Sequence, residues 1–357
     1  MAIRDFRIDF VRGIALLILF SDHVRGNIIY NYTPIAFGLS DMSDVFIFLS
    51  GYSCGLSYGS RLTDRGFINC AERAWARAAQ LYIVKVIITI VALAILFLAE
   101  GRTEPVFFGL PWNMQLVKTN PIETIIAIET FRLELLQFFI LALYVAFLLL
   151  LPLVVAGLSA YPYLIWFISA FVYSLVQMFP MHICLPQPWR DALFFNPFAW
   201  QFLFFCACAI AMLNPTSRSR LRPKPLIVIV ALMVVCLLFV IRSEFGVPWK
   251  SVLINKQNLG LLRLLHFTCI VIVGYCAIPS SHILLRSRLA RPFINCGQNA
   301  LVGYCTGGFL AIFSEMALRA LSPTWTVQLG INFAGWVGCL VVTSSWGRFR
   351  QGRKTSQ

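Results

Sequence analysis

Long apolar segments separated by short polar connections run along the whole chain. An α-helix needs about 20 residues to cross a bilayer, and most of the segments approach that length. Ten such segments are found by hydropathy, at 8–29, 44–58, 80–99, 132–155, 161–179, 192–213, 226–241, 261–279, 298–318 and 325–346. The fourth and fifth are nearly continuous, so the division between them is open. The pattern predicts an all-α, polytopic membrane bundle of about ten transmembrane helices.

The composition agrees with this interpretation. Of the 357 residues, 59% are apolar and only 12% are charged, which is typical of a chain that lies in lipid throughout. No stretch is polar enough to form a soluble domain, so we predict one transmembrane domain over 1–357, with a basic tail at 346–357. Charged residues near His23 interrupt the first apolar stretch, so we expect a first membrane helix there and not a cleaved signal peptide.

The net charge of +14 is concentrated in alternate connections. Basic residues favour the cytoplasmic side of a membrane protein, so both termini are predicted to be cytoplasmic. The charge therefore reports orientation and not binding to nucleic acid. The residues on the predicted cytoplasmic side are Arg4, Arg7, Arg61, Arg65, Arg73, Arg77, Arg218, Arg220, Arg222, Lys224, Arg286, Arg288, Arg291, Arg348, Arg350, Arg353 and Lys354.

Two ionisable side chains, Arg12 and His23, lie inside the first apolar segment. They are eleven residues apart, which is about three helical turns, so they share a face and are separated by roughly 16 Å along the axis. Ionisable groups in lipid are costly, and two on one face indicate a polar interior or a substrate.

Further charged residues are expected near the level of His23, because Asp44, Glu134, Arg263 and His266 open three helices from the outer side. This convergence predicts an active site below the outer surface. His23 would act as a general base, Asp44 or Glu134 would orient it, and Arg263 or His266 would stabilise developing charge.

Each of these residues also has a structural interpretation. Asp44, like Asp41 before it, would cap a helix that begins at Val45, and Glu134 would end an outer loop. Arg263 would extend its guanidinium to the interface, and His266 would be a packing histidine. No metal is expected, because the chain has no HExxH motif or comparable ligand spacing. It also has no glycine-rich phosphate loop and no nucleophile elbow.

Arg73, Arg77 and, deeper, Lys85 lie around the start of the third predicted helix, on the inner side. Most basic residues in such a position only set the orientation of the chain in the membrane. The same cluster would also suit an anionic cytoplasmic donor that carries nucleotide phosphates.

The run from Arg7 to Gly13, followed by His23, resembles the opening of the membrane-bound acyltransferases of acyltransferase family 3. More narrowly, four stretches resemble, in order, segments of the OpgC family, which adds succinyl groups to osmoregulated periplasmic glucans. The stretches are 44–53, 194–201, 256–267 and 296–299, and the likeness runs from about residue 4 to residue 318.

The resemblance implies a ten-helix bundle in the bacterial inner membrane, with an acyl-coenzyme A donor inside and a carbohydrate hydroxyl acceptor outside. His23 matches the family histidine thought to act in transfer, and Arg12 matches its partner. Glu134 stands where many relatives have aspartate. We therefore expect a succinyl-CoA-dependent O-acyltransferase whose donor contacts Arg12, Arg73, Arg77 and Lys85.

Three alternatives remain open at this point. One is an acetyltransferase that acts on another cell-surface polysaccharide. A second is a proton-coupled transporter or flippase for a sugar-linked substrate, with His23, Asp44 and Glu134 as the relay. The third is a non-catalytic membrane scaffold. The sequence is compatible with a homo-oligomer and does not specify one.

Overall fold

The structure, a computed structural model, describes residues 5–99, 117–179, 193–214, 217, 223–245, 252–278, 283–321 and 324–355. Within these residues every regular element is helical. Eleven helices of at least eight residues are numbered here in chain order: α1 (Phe6–His23), α2 (Met42–Ala99), α3 (Pro121–Glu129), α4 (Phe139–Ala160), α5 (Pro162–Met178), α6 (Pro197–Met212), α7 (Pro225–Phe245), α8 (Leu261–Ala277), α9 (Arg291–Gln298), α10 (Ala300–Ala320) and α11 (Trp325–Thr355).

Five helices of the described part of the chain are long and apolar enough to cross a membrane. They lie in α2, α4, α7, α10 and α11, at Met42–Ala99, Phe139–Ala160, Pro225–Arg242, Ala300–Ala320 and Trp325–Arg353. The helices α5, α6 and α8 are also apolar, although they are shorter. The described part of the chain is therefore all-helical and has the apolar helices of a membrane protein, as its hydropathy predicted.

The fourth and fifth predicted segments are separate helices. α4 ends at Ala160, and the backbone N–H of Tyr161 donates to the carbonyl of Gly157 at 2.6 Å. Pro162 then occupies the first turn of α5, where its missing N–H is not needed. A proline there favours a new helix start over a continuous helix, which places the division at Tyr161.

The second and third predicted segments belong to one long helix, α2, and the connection predicted between them is helical. α2 has 58 residues and is interrupted at Gly66, where φ is 79° and ψ is 176°. Glycine adopts this positive φ at low cost. Cys70 Sγ lies 3.7 Å from the carbonyl of Tyr58, and Arg61 donates to Asn69 at 3.0 Å. The two arms of α2 therefore fold back on each other at Gly66.

The chain forms two compact units. The first unit contains Met1–Phe46, Pro223–Pro248 and Leu262–Gln357. In it α1 packs against α9 and α10, and α10 packs against α11. Gly13 and Gly297 allow α1 and α9 to approach closely. A Cβ on Gly13 would overlap a backbone carbonyl of α9, and a Cβ on Gly297 would overlap a backbone carbonyl of α1.

The second unit contains Ile47–Arg222 and Trp249–Leu261. In it α4, α5 and α6 pack together. The first arm of α2 approaches α6 through glycines at four-residue spacing. A Cβ on Gly51 would overlap the carbonyl of Phe204, and a Cβ on Gly55 the carbonyl of Cys208. Such small residues let helix backbones pack closely in membranes.

Candidate active site

His23 is the last residue of α1, so the helix ends six residues earlier than the segment predicted to reach Ile29. Asn27 accounts for this ending. Its side-chain amide donates to the carbonyls of Ser21 at 2.8 Å and Val24 at 2.5 Å, which satisfies acceptors that a helix end leaves open. Gly26 supplies the positive φ, 77°, that turns the chain. His23 therefore stands, half-buried, where α1 meets the following loop.

Arg12 lies on the same helix, about three turns before His23. Its side chain is 11% exposed, and its Nη1 is 3.9 Å from Oδ1 of Asp9. Asp9 in turn accepts a hydrogen bond from Gln298 of α9 at 3.3 Å. Arg12 is thus tied to the packing of α1 against α9.

The structure brings Asp44 and Arg263 together, with Asp41 as a third partner. Arg263 Nε and Nη2 donate to the two carboxylate oxygens of Asp44 at 3.0 and 2.5 Å. Nη2 is also 3.0 Å from Asp41 Oδ2, and Nη1 donates to the carbonyl of Leu39 at 2.9 Å. The Arg263 side chain is 1% exposed, so it is a buried ion-pair partner and does not extend to the interface.

Asp41 and Asp44 also hold the start of α2, which begins at Met42 and not at Val45 as their structural interpretation predicted. Asp41 Oδ1 accepts from the backbone N–H of Ser43, and Asp44 Oδ2 accepts from the backbone N–H of Asp41, both at 2.8 Å. This reciprocal pattern is a capping box. The two carboxylates thus start the helix and bind Arg263 at the same time.

His266 lies one turn after Arg263 on α8 and contacts Ser40. The distance from Ser40 Oγ to His266 Nδ1 is 2.7 Å, and both residues are buried. Sequence reasoning singled out His266 but missed Ser40, because one serine in a polar loop carries no signal of its own. The one signal that could have identified Ser40 is its position next to Asp41.

Charged groups around Tyr30 link the end of α1 to the start of α2. Burial raises the pKa of Tyr30, the carboxylates of Asp22 and Asp41 raise it further, and the guanidinium of Arg242 opposes them. Arg242 Nη2 donates to the carbonyl of Ala36 at 3.0 Å. Since Asp22 is the penultimate residue of α1 and Asp41 precedes α2, these two helix ends border one polar region of the first unit.

Lys85 and Glu134 form a buried ion pair in the second unit. Lys85 Nζ is 2.8 Å from Glu134 Oε1, and both side chains are 0% exposed. The same ammonium donates to the carbonyl of Ile128 at 2.5 Å and lies 4.6 Å from the ring centroid of Phe131. Glu134 was predicted to orient the catalytic base, and Lys85 was predicted to contact the donor. In the structure the two side chains instead bind each other.

Breaking this pair is predicted to destabilise the protein. Lys85→Met leaves a buried carboxylate without its cation, which typically costs about 3–5 kcal/mol. The double variant Lys85→Met with Glu134→Leu removes both charges and should recover most of the loss. Thermal unfolding in detergent measures both effects. A stable Lys85→Met protein whose only defect is a higher donor KM would instead favour the donor contact.

The remaining predicted donor residues, Arg73 and Arg77, lie on the second arm of α2. Arg73 is exposed, and Arg77 Nη1 donates to Gln80 Oε1 at 2.6 Å. Among the described residues there is no cluster of three or more histidine, cysteine or acidic side chains that could hold a metal.

Comparison with known proteins gives one clear result. A family model described as OpgC protein matches residues 4–351. No curated protein and no solved structure matches significantly. The matched region contains α1 with Arg12 and His23, the buried Arg263 cluster, and the Ser40–His266 contact. Because the match covers nearly the whole chain, the protein belongs to the OpgC family.

Proposed function

We propose that the protein is a membrane O-acyltransferase of the inner membrane, which moves a succinyl group from cytoplasmic succinyl-CoA to hydroxyls of a periplasmic glucan. Family membership supports a glucan-modifying acyltransferase. The observation that carries the mechanism is His23, an ionisable group at the end of an apolar helix and next in the chain to Asp22, whose carboxylate acts on Tyr30.

In the proposed reaction an acceptor hydroxyl attacks the thioester carbonyl carbon. His23 accepts the hydroxyl proton as the new C–O bond forms. The C–S bond then breaks, the coenzyme A thiolate leaves, and the proton held by His23 neutralises it. Arg12 is a proposed donor contact, as are Arg73 and Arg77. Whether the acyl group passes through His23 itself is an outcome that trapping would reveal.

The reaction is tested with purified protein in proteoliposomes, succinyl-CoA and a glucan acceptor. We expect one coenzyme A released for each succinyl group gained, with the glucan mass rising accordingly. Supplying acetyl-CoA instead tests the acetyltransferase alternative. Movement of a sugar-linked substrate across the bilayer without thioester consumption would contradict acyl transfer and favour a transporter.

The buried ion pairs argue against the transporter alternative. A proton relay needs carboxylates that gain and lose protons as the substrate moves. Asp44 is bonded to Arg263, and Glu134 is bonded to Lys85, each in a closed contact. Protonating Glu134 would leave the buried Lys85 without its counter-charge, and protonating Asp44 would leave Arg263 with Asp41 as its one described carboxylate partner, and both changes are costly in a buried site.

We also propose that ten helical segments cross the membrane: α1, the two arms of α2, α4 to α8, α10 and α11. A straight helix of 58 residues would be roughly 87 Å long, far more than the hydrocarbon core of about 30 Å. The break at Gly66 allows α2 to cross twice. An even number of crossings places both termini on the same side, and the basic connections indicate that this side is the cytoplasm.

Cysteine labelling tests this topology. With a membrane-impermeant thiol reagent, Arg65→Cys is expected to react only after the cells are permeabilised, and Lys256→Cys is expected to react in intact cells. The unmodified chain supplies the background from its own cysteines. Labelling of residue 65 in intact cells would show that the proposed orientation is wrong.

Arg73 and Arg77 are predicted to contribute to donor binding through the phosphates of coenzyme A. The double change to alanine should raise the donor KM roughly tenfold, equivalent to about 1.4 kcal/mol, with a smaller effect on kcat. The difference should shrink at high salt because exposed charges are screened. Arg132→Ala is the control, since Arg132 pairs with Glu123 at 2.7 Å. If calorimetry showed unchanged coenzyme A binding by the double variant, these arginines would have no part in donor binding and would only set the orientation of the chain.

A further inference from the structure

Ser40 and His266 form a contact that the proposed reaction leaves without a role. Ser40 is 2% exposed and His266 is 3% exposed. The 2.7 Å contact with His266 Nδ1 is the one hydrogen bond of the Ser40 hydroxyl within the part of the chain that the structure describes. A buried hydroxyl nearly always donates its proton to an acceptor. Here the described acceptor is His266 Nδ1.

The direction of this hydrogen bond and the protonation of the ring are linked. If Nδ1 accepts from Ser40, it carries no hydrogen, and the hydrogen of the neutral imidazole lies on Nε2. In a doubly protonated ring Nδ1 would itself be a donor, and the Ser40 proton would lose its acceptor. A Ser40 hydroxyl that donates to Nδ1 therefore favours a neutral His266 with its hydrogen on Nε2.

Arg263 holds the two partners in position. It binds the carbonyl of Leu39 at 2.9 Å and the carboxylate of Asp41 at 3.0 Å, and these residues flank Ser40. His266 is three residues after Arg263 on α8, which places both on one face of that helix. The same guanidinium thus fixes the loop that carries Ser40 and the helix that carries His266.

We infer that His266 donates a hydrogen bond from Nε2–H to the thioester carbonyl oxygen, and that Ser40 is the positioning residue that sets this tautomer. The inference rests on the proposed acyl transfer. When the acceptor hydroxyl attacks, negative charge develops on that oxygen, and a fixed donor stabilises it more strongly than it stabilises the substrate. His23 takes the proton, and His266 transfers none. The two histidines therefore have different roles.

Substitutions at His266 distinguish a donor from a base. Glutamine can place an amide N–H near the position of Nε2–H, but it cannot accept a proton. We expect kcat for His266→Gln within about tenfold of the unmodified protein, and a loss of about 10²–10³ for His266→Ala. A His266→Gln protein as inactive as His266→Ala would show that His266 is a base. Normal turnover in both variants would show that it has no catalytic role.

The tautomer is measured directly by nitrogen-15 NMR of protein labelled at histidine. The chain has only four histidines, and the His266 signals are assigned by their loss in His266→Gln. We expect a neutral ring protonated at Nε2. Ser40→Ala should abolish that preference and lower kcat with little change in donor KM, and Ser40→Thr should restore both.

Ser169→Ala is the matched control, because Ser169 is also a buried serine and donates to Gln201 Oε1 at 2.6 Å. It should leave the His266 tautomer unchanged. Protonation of His266 at Nδ1, or a Ser40→Ala protein with the unmodified tautomer, would overturn the inference. These spectra do not depend on activity, so they test the tautomer even if acyl transfer is disproved.

Discussion

Replacing His23 with alanine is expected to lower turnover by about 10²–10⁴-fold, the usual effect of losing a positioned general base. The protein should still insert and bind its donor. The end of α1 is held by the side-chain amide of Asn27 and by the turn at Gly26, and neither involves the imidazole. The loss should therefore appear in kcat for coenzyme A release in proteoliposomes, with an unfolding temperature close to that of the unmodified protein.

Arg25→Ala is the control for His23→Ala. Arg25 is exposed and lies two residues beyond the end of α1, so its removal perturbs the same turn without removing the base. We expect near-normal turnover from it. If His23→Ala retained near-normal turnover as well, the general base would have to be another group and the proposed mechanism would be wrong.

Helix positions were largely predictable because hydropathy and proline report them locally. The division at Tyr161 follows from Pro162, and the α1 helix follows from its apolar run. The end of α1 was misplaced because apolar residues continue beyond His23. Gly26 and Asn27 are the local signals for termination, and they end the helix although apolar residues follow them.

The pairing of charged residues was harder to predict than their presence. The third span was predicted to begin at Gln80, which put Lys85 only about 8 Å into it. The arm in fact begins after Gly66, so Lys85 lies about 28 Å along it and reaches Glu134. A helical connection has no apolar pattern to reveal it, so the start of the arm was placed about 14 residues too late, which corresponds to about 20 Å along the helix.

Asp44 and Arg263 were expected near one depth, and the structure brings them into contact. Sequence could not show that Asp41 would share the guanidinium, or that the loop between Leu39 and Asp41 would place Ser40 on His266. These contacts join residues more than 200 positions apart in the chain. Only the packing of α8 against the start of α2 creates them.

Arg263→Leu is expected to destabilise the protein by about 3–5 kcal/mol, because it leaves Asp41 and Asp44 buried without their cation. A succinyl carboxylate in a buried site needs a cation, and Arg263 would select succinyl over acetyl donors if it bound that carboxylate. In the structure its guanidinium is bonded to Asp44 through two nitrogens, to Asp41 and to the carbonyl of Leu39. A succinyl carboxylate would have to displace one of these partners.

The unfolding temperature of Arg263→Leu in detergent measures the loss of stability. Competition between succinyl-CoA and acetyl-CoA measures whether Arg263 selects the donor. Adding Asp41→Asn and Asp44→Asn should recover much of the stability, because asparagine retains the capping oxygens without the charge. Arg263→Lys should be intermediate, since an ammonium cannot bind a carboxylate through a planar fork. We expect the stabilised triple variant to keep the donor preference of the unmodified protein. A triple variant that folds well but prefers acetyl-CoA would show that Arg263 recognises the acyl group, and that its bonds to the aspartates open when the donor binds.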